Sequence, residues 1–140
     1  MPTPRSGNVM TALVDGCGRG FTVLCTVPDA TFLGALASLA GPTGLVLAAG
    51  PEPPTGPGWA AVRCDPAAGI PLRSHIVDAA VLLQTPDLPR LAEEARRTLV
   101  PDGDVCVLLN GDADAAAAMA DASIRTLAVT ASGVLVGRGP

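Results

Sequence analysis

The sequence predicts an α/β protein, a three-layer sandwich in which helices cover both faces of a mostly parallel, seven-stranded sheet. Short apolar runs alternate with segments whose apolar residues recur at helical spacing. The stretch from His75 to Leu109 indicates a strand, a loop, a helix, a turn and a second strand, which is the repeating unit of a parallel sheet. Near the end of the chain, two strand-like apolar segments flank Ser132-Gly133, which is typical of an antiparallel hairpin.

Composition limits the classes of protein to consider. With 140 residues, 49% of them apolar and 16% charged, the chain can form one domain with a real core. We expect residues 1–20 to be a tail and loop and residues 21–140 to be the domain. The net charge is −4 and no basic cluster exceeds Arg96-Arg97, so we expect no nucleic-acid partner. No apolar run suggests a membrane span or signal peptide, which favours a cytoplasmic location.

The cysteines favour neither a metal site nor disulfides. Cys17, Cys25, Cys64 and Cys106 are widely spaced, and none belongs to a Cys-x-x-Cys pair. Without a secretion signal, disulfides are not expected either. Cys25, Cys64 and Cys106 lie in apolar strand-like runs and are predicted to be small buried side chains, whereas Cys17 lies in a glycine-rich loop and is expected to be exposed.

The first half predicts three strands and one helix. Phe21–Pro28 is rich in apolar and β-branched residues, as is typical of a buried strand. Asp29 or Thr31 can cap the following helix, which runs to Ala40 before Gly41-Pro42 ends it. Two further predicted strands flank a proline-rich segment that suits neither helix nor strand; these three stretches are Leu45–Ala49, Gly50–Gly58 and Trp59–Cys64.

The second half predicts two buried strands, two helices and the hairpin. Ile76–Leu83 is nearly all apolar, and Asp87 can cap a helix from Leu88. On that helix Glu93 and Arg97 are four residues apart and can pair on a solvated face. The remaining predictions are a turn at Pro101–Gly103, a strand at Asp104–Leu109, a polyalanine helix from an Asp112 cap to about Ala122, and the terminal hairpin.

The segment DAAVLLQTPDLPRLAEEARRTLVPDGDVCVLL resembles the class I S-adenosylmethionine-dependent methyltransferases. The shared features are an acid opening the strand (Asp78), the run Glu94–Arg97 and the turn Leu99–Gly103. The resemblance extends over roughly residues 21–140. It implies a Rossmann-like sheet, and its motif lies on the scaffold, so it indicates the fold better than an activity.

The family's glycine-rich cofactor loop fits this chain in two registers. One uses Gly16–Gly20, whose glycines match but are followed by a strand rather than a helix. The other uses Val27–Thr31, where the flanking strand and helix have the family's spacing but the glycines are gone. We favour the second register, because topology constrains spacing more than a short match does. Cys25 then replaces the family's acidic residue, and Gly16–Gly20 is interpreted as a turn.

The resemblance also implies changes after the second strand. The ribose-binding acid of the family corresponds to Gly50, with Glu52 as a nearby substitute. The proline-rich segment is too short for the family's helix, so one crossover helix is predicted to be missing. Asp65 matches the family's adenine-contacting acid.

Candidate site residues follow from the expectation that open α/β sheets bind ligands at the carboxyl ends of their strands. Each of them has an alternative structural role as a cap or turn residue. His75 precedes its strand, so it is expected at the opposite end, and no catalytic residue is assigned. The candidate cofactor-binding residues are Asp29, Thr31, Glu52, Asp65, Gln84 and Thr85, with Asn110 at an equivalent position.

The function favoured by the sequence is a methyltransferase-fold protein with an eroded S-adenosylmethionine site. It would be a non-methylating enzyme or a binding subunit for a small molecule, with weak or no cofactor binding. The alternatives are an active minimal small-molecule methyltransferase and a structural or interaction protein. Because a missing helix should leave part of a sheet face uncovered, a homodimer is predicted.

Overall fold

The computed structural model describes residues 21–110, 114–130 and 133–140. The predictions for residues 1–20, which include Cys17 and the glycine-rich loop, and for an Asp112 cap lie outside these residues. The described residues form seven strands and three helices, numbered here in chain order. The strands are β1 (Thr22–Cys25), β2 (Leu45–Gly50), β3 (Ala60–Arg63), β4 (Val77–Leu83), β5 (Leu99–Leu108), β6 (Arg125–Val129) and β7 (Val134–Arg138). The helices are α1 (Ala30–Ala40), α2 (Leu88–Thr98) and α3 (Ala115–Asp121).

All seven strands belong to one sheet with the order β3-β2-β1-β4-β5-β7-β6. Strands β1 to β5 are parallel to one another, and β7 runs antiparallel to both β5 and β6. The prediction of a mostly parallel sheet with an antiparallel terminal hairpin is therefore confirmed.

Two cores lie on opposite faces of the sheet, because neighbouring side chains on a strand point to opposite sides. On β1, Val23 and Cys25 face α1, where Leu33 is fully buried. Leu24, between them, belongs to the other core, where Met119 of α3 is also buried. The described residues thus form the predicted three layers, with α1 on one face and α2 and α3 on the other.

The predicted missing crossover helix is confirmed, since residues 51–59 join β2 to β3 without a helix. Proline removes the backbone donor that a helix needs, and this segment contains Pro51, Pro53, Pro54 and Pro57. The indole N–H of Trp59 donates a 2.8 Å hydrogen bond to the carbonyl of Pro54, which folds the segment back on itself.

The connection from β3 to β4, residues 64–76, also has no helix. Ile70 is buried in the core beneath it, where a crossover helix would otherwise pack. The guanidinium of Arg97 donates hydrogen bonds to the carbonyls of Ile70 and Leu72, both at 2.8 Å. The Glu94 carboxylate accepts a 2.7 Å bond from the Ile70 amide and a 3.0 Å bond from Arg97 Nε. We call this arrangement the Glu94–Arg97 clamp.

The predicted pairing of Glu93 with Arg97 on α2 is wrong. Arg97 pairs with Glu94 and not with Glu93, because the Glu94 carboxylate is also held by the backbone of Ile70. These two side chains are half-buried rather than solvated, whereas Glu93 and Arg96 are exposed.

Four smaller predictions also need correction. The predicted turn at Pro101–Gly103 lies within β5. Val77 of β4 pairs with Leu99 and Ala79 pairs with Asp104, so the register of the two strands shifts between these pairs. Leu99, which the resemblance places at the start of a turn, begins β5. The polyalanine helix is capped by Asp114, whose Oδ1 accepts a 3.0 Å bond from the Ala117 amide. Cys64 follows the exposed edge strand β3 and is only half-buried.

Candidate functional site

A cavity of about 580 Å³ lies at the carboxyl ends of β1, β2, β3 and β4. The order of the strands explains its position. After β1 the chain forms β2 and β3 on one side of β1, and from β3 it crosses to form β4 on the other side. Ligands of open α/β sheets bind where the connections diverge in this way. The lining residues are Cys25–Pro28, Ala48–Pro54, Asp65–Ala67, Leu83, Thr85, Asp87 and Leu91.

Three of the predicted site residues line this cavity: Glu52, Asp65 and Thr85. Glu52 and Asp65 follow the adjacent parallel strands β2 and β3, and both line the cavity. Asp65 Oδ1 accepts a 3.2 Å hydrogen bond from the amide of Ala67, which orients the carboxylate through a tight turn. Both acids are exposed and can accept hydrogen bonds from a ligand.

The other three predicted residues have structural positions outside the lining. Asp29 caps α1, because its Oδ1 accepts hydrogen bonds from the amides of Thr31 at 2.9 Å and Phe32 at 3.2 Å. Thr31 is exposed on the first turn of that helix. Gln84 is 3% exposed and its Oε1 accepts a 2.7 Å bond from the amide of Asn110, joining the ends of β4 and β5.

His75 has the position that the sequence predicts. It precedes β4 at the end away from the cavity, it is exposed, and its amide donates to the carbonyl of Arg97.

Asp87 is a lining residue that the sequence interpretation missed. It was assigned to the cap of α2, but its side chain makes no capping hydrogen bond. Its carboxylate is exposed at the β4 side of the cavity. Pro89 was a weak signal, because it removes one of the two amides that a capping residue can accept from and leaves that of Arg90.

The floor of the cavity at the end of β1 carries no charged side chain. Cys25 is 1% exposed, and burial is the main cause that raises the pKa of its thiol to about 12. Its Sγ lies 3.9 Å from the carbonyl oxygen of Val27. A thiol with such a high pKa stays protonated, so Cys25 supplies neither a negative charge nor a nucleophile here.

The charged side chains that line the cavity are the carboxylates of Glu52, Asp65 and Asp87, which can accept hydrogen bonds from a ligand. Within residues 21–110, 114–130 and 133–140, no cluster of His, Cys, Asp or Glu has the arrangement of a metal site. In the same part of the chain, no helix has both the length and the apolar character needed to cross a membrane.

Comparisons with known proteins identify the fold. No family model matches the chain, and neither does the sequence of any curated protein. Among solved structures, a methyltransferase dependent on S-adenosylmethionine from Aquifex aeolicus is similar with a TM-score of 0.72 and 17% identity, over 95% of this chain and 88% of that one.

Two further solved structures are similar. The 1,6-didemethyltoxoflavin-N1-methyltransferase of Burkholderia thailandensis, which contains 1,6-didemethyltoxoflavin and S-adenosylhomocysteine, has a TM-score of 0.71 and 16% identity over 97% of this chain and 78% of that one. The [4+2]-cyclase SpnF has a TM-score of 0.67 and 12% identity over 95% of this chain and 80% of that one. The chain therefore has the fold of the class I S-adenosylmethionine-dependent methyltransferases, as its sequence predicts.

Proposed function

We propose that this protein binds a nucleoside ligand of the S-adenosylmethionine type in the cavity at the ends of β1 to β4. The observation that carries the proposal is the pair of carboxylates, Glu52 and Asp65, which follow adjacent strands and line the same cavity. Carboxylates accept hydrogen bonds from ribose hydroxyls and from the amino group of adenine, and charge-assisted bonds of this kind are strong. A volume of about 580 Å³ lies in the usual range for small-molecule sites.

We infer further that the protein acts as a non-methylating enzyme or as a binding subunit. Methyl transfer requires the donor and acceptor to be held in line and shielded from water. At the β1 end, where the family has an acid and a glycine-rich loop, this chain has Cys25 and the Val27-Pro28 segment. The neighbour SpnF, a [4+2]-cyclase, supports the idea that this fold serves reactions other than methylation.

Titration calorimetry with S-adenosylmethionine and S-adenosylhomocysteine tests the binding proposal. Asp65→Asn and Glu52→Gln remove one negative charge each, and Asn at 65 can still accept the bond that forms the turn with Ala67. We expect each substitution to weaken binding about tenfold, as the loss of a charge-assisted hydrogen bond does. Glu93→Gln, on the exposed face of α2, is the matched control and should bind like the wild type. Equal affinities for all variants would contradict the proposal, and so would an absence of binding that extends to 5′-methylthioadenosine.

An active minimal methyltransferase is the second candidate, and one feature of the cavity favours it. Glu52, Asp65 and Asp87 all line the cavity, and their negative charges suit a sulfonium cation. In that reaction a lone pair of the acceptor attacks the methyl carbon, and the carbon–sulfur bond breaks with its electrons remaining on sulfur. Production of S-adenosylhomocysteine from S-adenosylmethionine in the presence of small-molecule acceptors, reduced in Asp87→Asn, would favour this candidate over the first.

A further inference from the structure

The β1 end of the cavity differs chemically from the end that contains Glu52 and Asp65. Cys25, Thr26, Val27 and Pro28 form its wall. Cys25 and Val27 are almost fully buried, and the Thr26 hydroxyl accepts a 3.3 Å hydrogen bond from the Leu83 amide. Pro28 has no backbone N–H, and burial keeps the Cys25 thiol protonated with a pKa of about 12. This wall offers a ligand mainly apolar contact.

The start of helix α1, next to this wall, is already occupied by a carboxylate of the protein. Asp29 Oδ1 accepts from the amides of Thr31 and Phe32. The carbonyl of Asp29 accepts from the Leu33 amide at 2.9 Å. Helix N-termini usually attract anions through these amides, but here the protein's own acid uses them. A carboxylate of a ligand would have to displace Asp29 or lie beside it.

The carboxylate of Asp29 adds negative charge beside this wall, because Asp29 directly follows the lining residue Pro28. Glu52 and Asp65, which follow β2 and β3, and Asp87, at the β4 side, contribute further negative charge to the same space. Within the described part of the chain, the lining contains no Arg or His. An anion taken out of water without a partner is strongly disfavoured.

We propose that the ligand of this cavity is an adenosyl nucleoside whose 5′ substituent has no carboxylate. Resting on the proposed function, this inference names the ligand class within the same site. Ligands of this class carry a short thioether or amine in place of an amino-acid end. The thioether chain would lie against Cys25, Val27 and Pro28, and an amine would be attracted by the surrounding carboxylates.

A matched pair of ligands tests the inference by titration calorimetry. S-adenosylhomocysteine and S-adenosyl-3-thiopropylamine differ only by the carboxylate, and 5′-methylthioadenosine lacks the whole amino-acid end. We expect the thiopropylamine to bind about tenfold more tightly than S-adenosylhomocysteine, because the carboxylate meets like charges at this end. Binding of S-adenosylhomocysteine as tight as that of the thiopropylamine, or tighter, would overturn the inference while leaving the nucleoside proposal intact. Failure of all three to bind would overturn both.

The variant Asp29→Asn tests whether the charge of Asp29 contributes to the difference in affinity between the matched ligands. Asparagine caps helices about as well as aspartate, so the fold and the binding of 5′-methylthioadenosine should be unchanged. The difference in affinity between the matched ligands should shrink about threefold, because one of the repelling charges is gone. A difference that Asp29→Asn leaves unchanged would overturn the role assigned to Asp29.

Discussion

Gly103 occupies a position at which three groups leave no room for a side chain. A Cβ added there would lie 2.8 Å from Leu99 Cδ2, 3.0 Å from the Val100 oxygen and 3.1 Å from the Asp78 oxygen. Two of these atoms belong to the backbone, which cannot move aside as a flexible side chain can. The glycine of the Leu-x-Pro-x-Gly motif is thus explained by the close approach of β4 and β5 and not by ligand binding.

We predict that Gly103→Ala lowers the free energy of unfolding by about 1–3 kcal/mol, as overpacking of a buried site does. Gly34, in the middle of α1, is the matched control because a Cβ there would meet nothing within 4 Å. Gly34→Ala should raise stability by about 0.5–1 kcal/mol, since alanine favours a helix over glycine. Urea unfolding of the two variants measures both effects, and similar stabilities would contradict the prediction.

Asp78 shows a residue role that the sequence predicted correctly. It was expected to hold the entry of its strand, and its Oδ2 accepts a 2.7 Å hydrogen bond from the Thr22 amide at the start of β1. For Asp29, by contrast, the sequence left two roles open. From sequence it served equally as a cap or a ligand contact, and only the three-dimensional positions of the Thr31 and Phe32 amides distinguish these roles.

At the scale of elements, the Glu94–Arg97 clamp replaces a helix by hydrogen bonds. The connection of residues 64–76 has few backbone bonds of its own, and α2 supplies the missing partners at Ile70 and Leu72. The same connection contributes Asp65–Ala67 to the cavity. The clamp therefore stabilises the connection that forms one wall of the cavity.

We predict that Arg97→Met lowers the free energy of unfolding by about 1–3 kcal/mol, because two carbonyls lose a charged donor. Methionine keeps most of the length of the side chain and its helix propensity. Arg96→Met, on the neighbouring exposed position, is the control and should change stability by less than about 0.5 kcal/mol. Hydrogen exchange should show faster exchange in residues 64–76 for Arg97→Met alone. Equal exchange in the two variants would contradict the role of the clamp.

The clamp should also make stability depend on pH in the acidic range. The hydrogen bond from Arg97 is the main cause that lowers the pKa of Glu94 below its usual value of 4.5. A carboxyl whose pKa is lower in the folded state stabilises the fold fully above its unfolded pKa, and this contribution is lost as the pH falls through the folded pKa. We therefore expect Tm to fall below about pH 4.5 more steeply in the wild type than in Glu94→Gln. Parallel Tm profiles for the two proteins would contradict this.

The elements themselves were largely predictable because their signals are local. Apolar periodicity indicates α1 and α2, and prolines between Gly50 and Gly58 exclude a helix there. The clamp was not predictable, because Arg97 and Leu72 are 25 residues apart and meet only through the fold. Asp87 was assigned to a cap, but its side chain makes no capping hydrogen bond and it lines the cavity.

At the scale of the whole molecule, the topology predicted the location of the cavity, and the residues lining it were predicted only in part. The carboxyl ends of parallel strands meet at one edge, so Glu52, Asp65 and Thr85 were correctly expected together. Gln84 also follows such a strand, but it is buried against the Asn110 amide. Which of two adjacent residues faces a cavity depends on the local twist of the backbone, which the sequence pattern does not specify.

The predicted homodimer also belongs to the scale of the whole molecule. The exposed residues favour a different surface for it than the one left by the missing helix. Where helices are missing, β3 exposes Ala60, Ala61 and Arg63, which offer little apolar area. Larger apolar side chains are exposed on β6, where Leu127 is 45% and Val129 57% accessible. β6 is also an edge strand with unpaired backbone groups, and such edges readily associate.

We therefore predict that a dimer, if the protein forms one, associates through β6. Leu127→Arg should then give a monomer in light scattering, because a charge on the edge strand disfavours pairing with a second copy. Leu45→Arg is the matched control, since Leu45 is equally exposed, at 46%, but lies on the interior strand β2. It should leave the molecular mass of a dimer unchanged. A monomeric wild type at the same concentration would contradict the homodimer itself, and a dimeric Leu127→Arg would contradict only the assignment to β6.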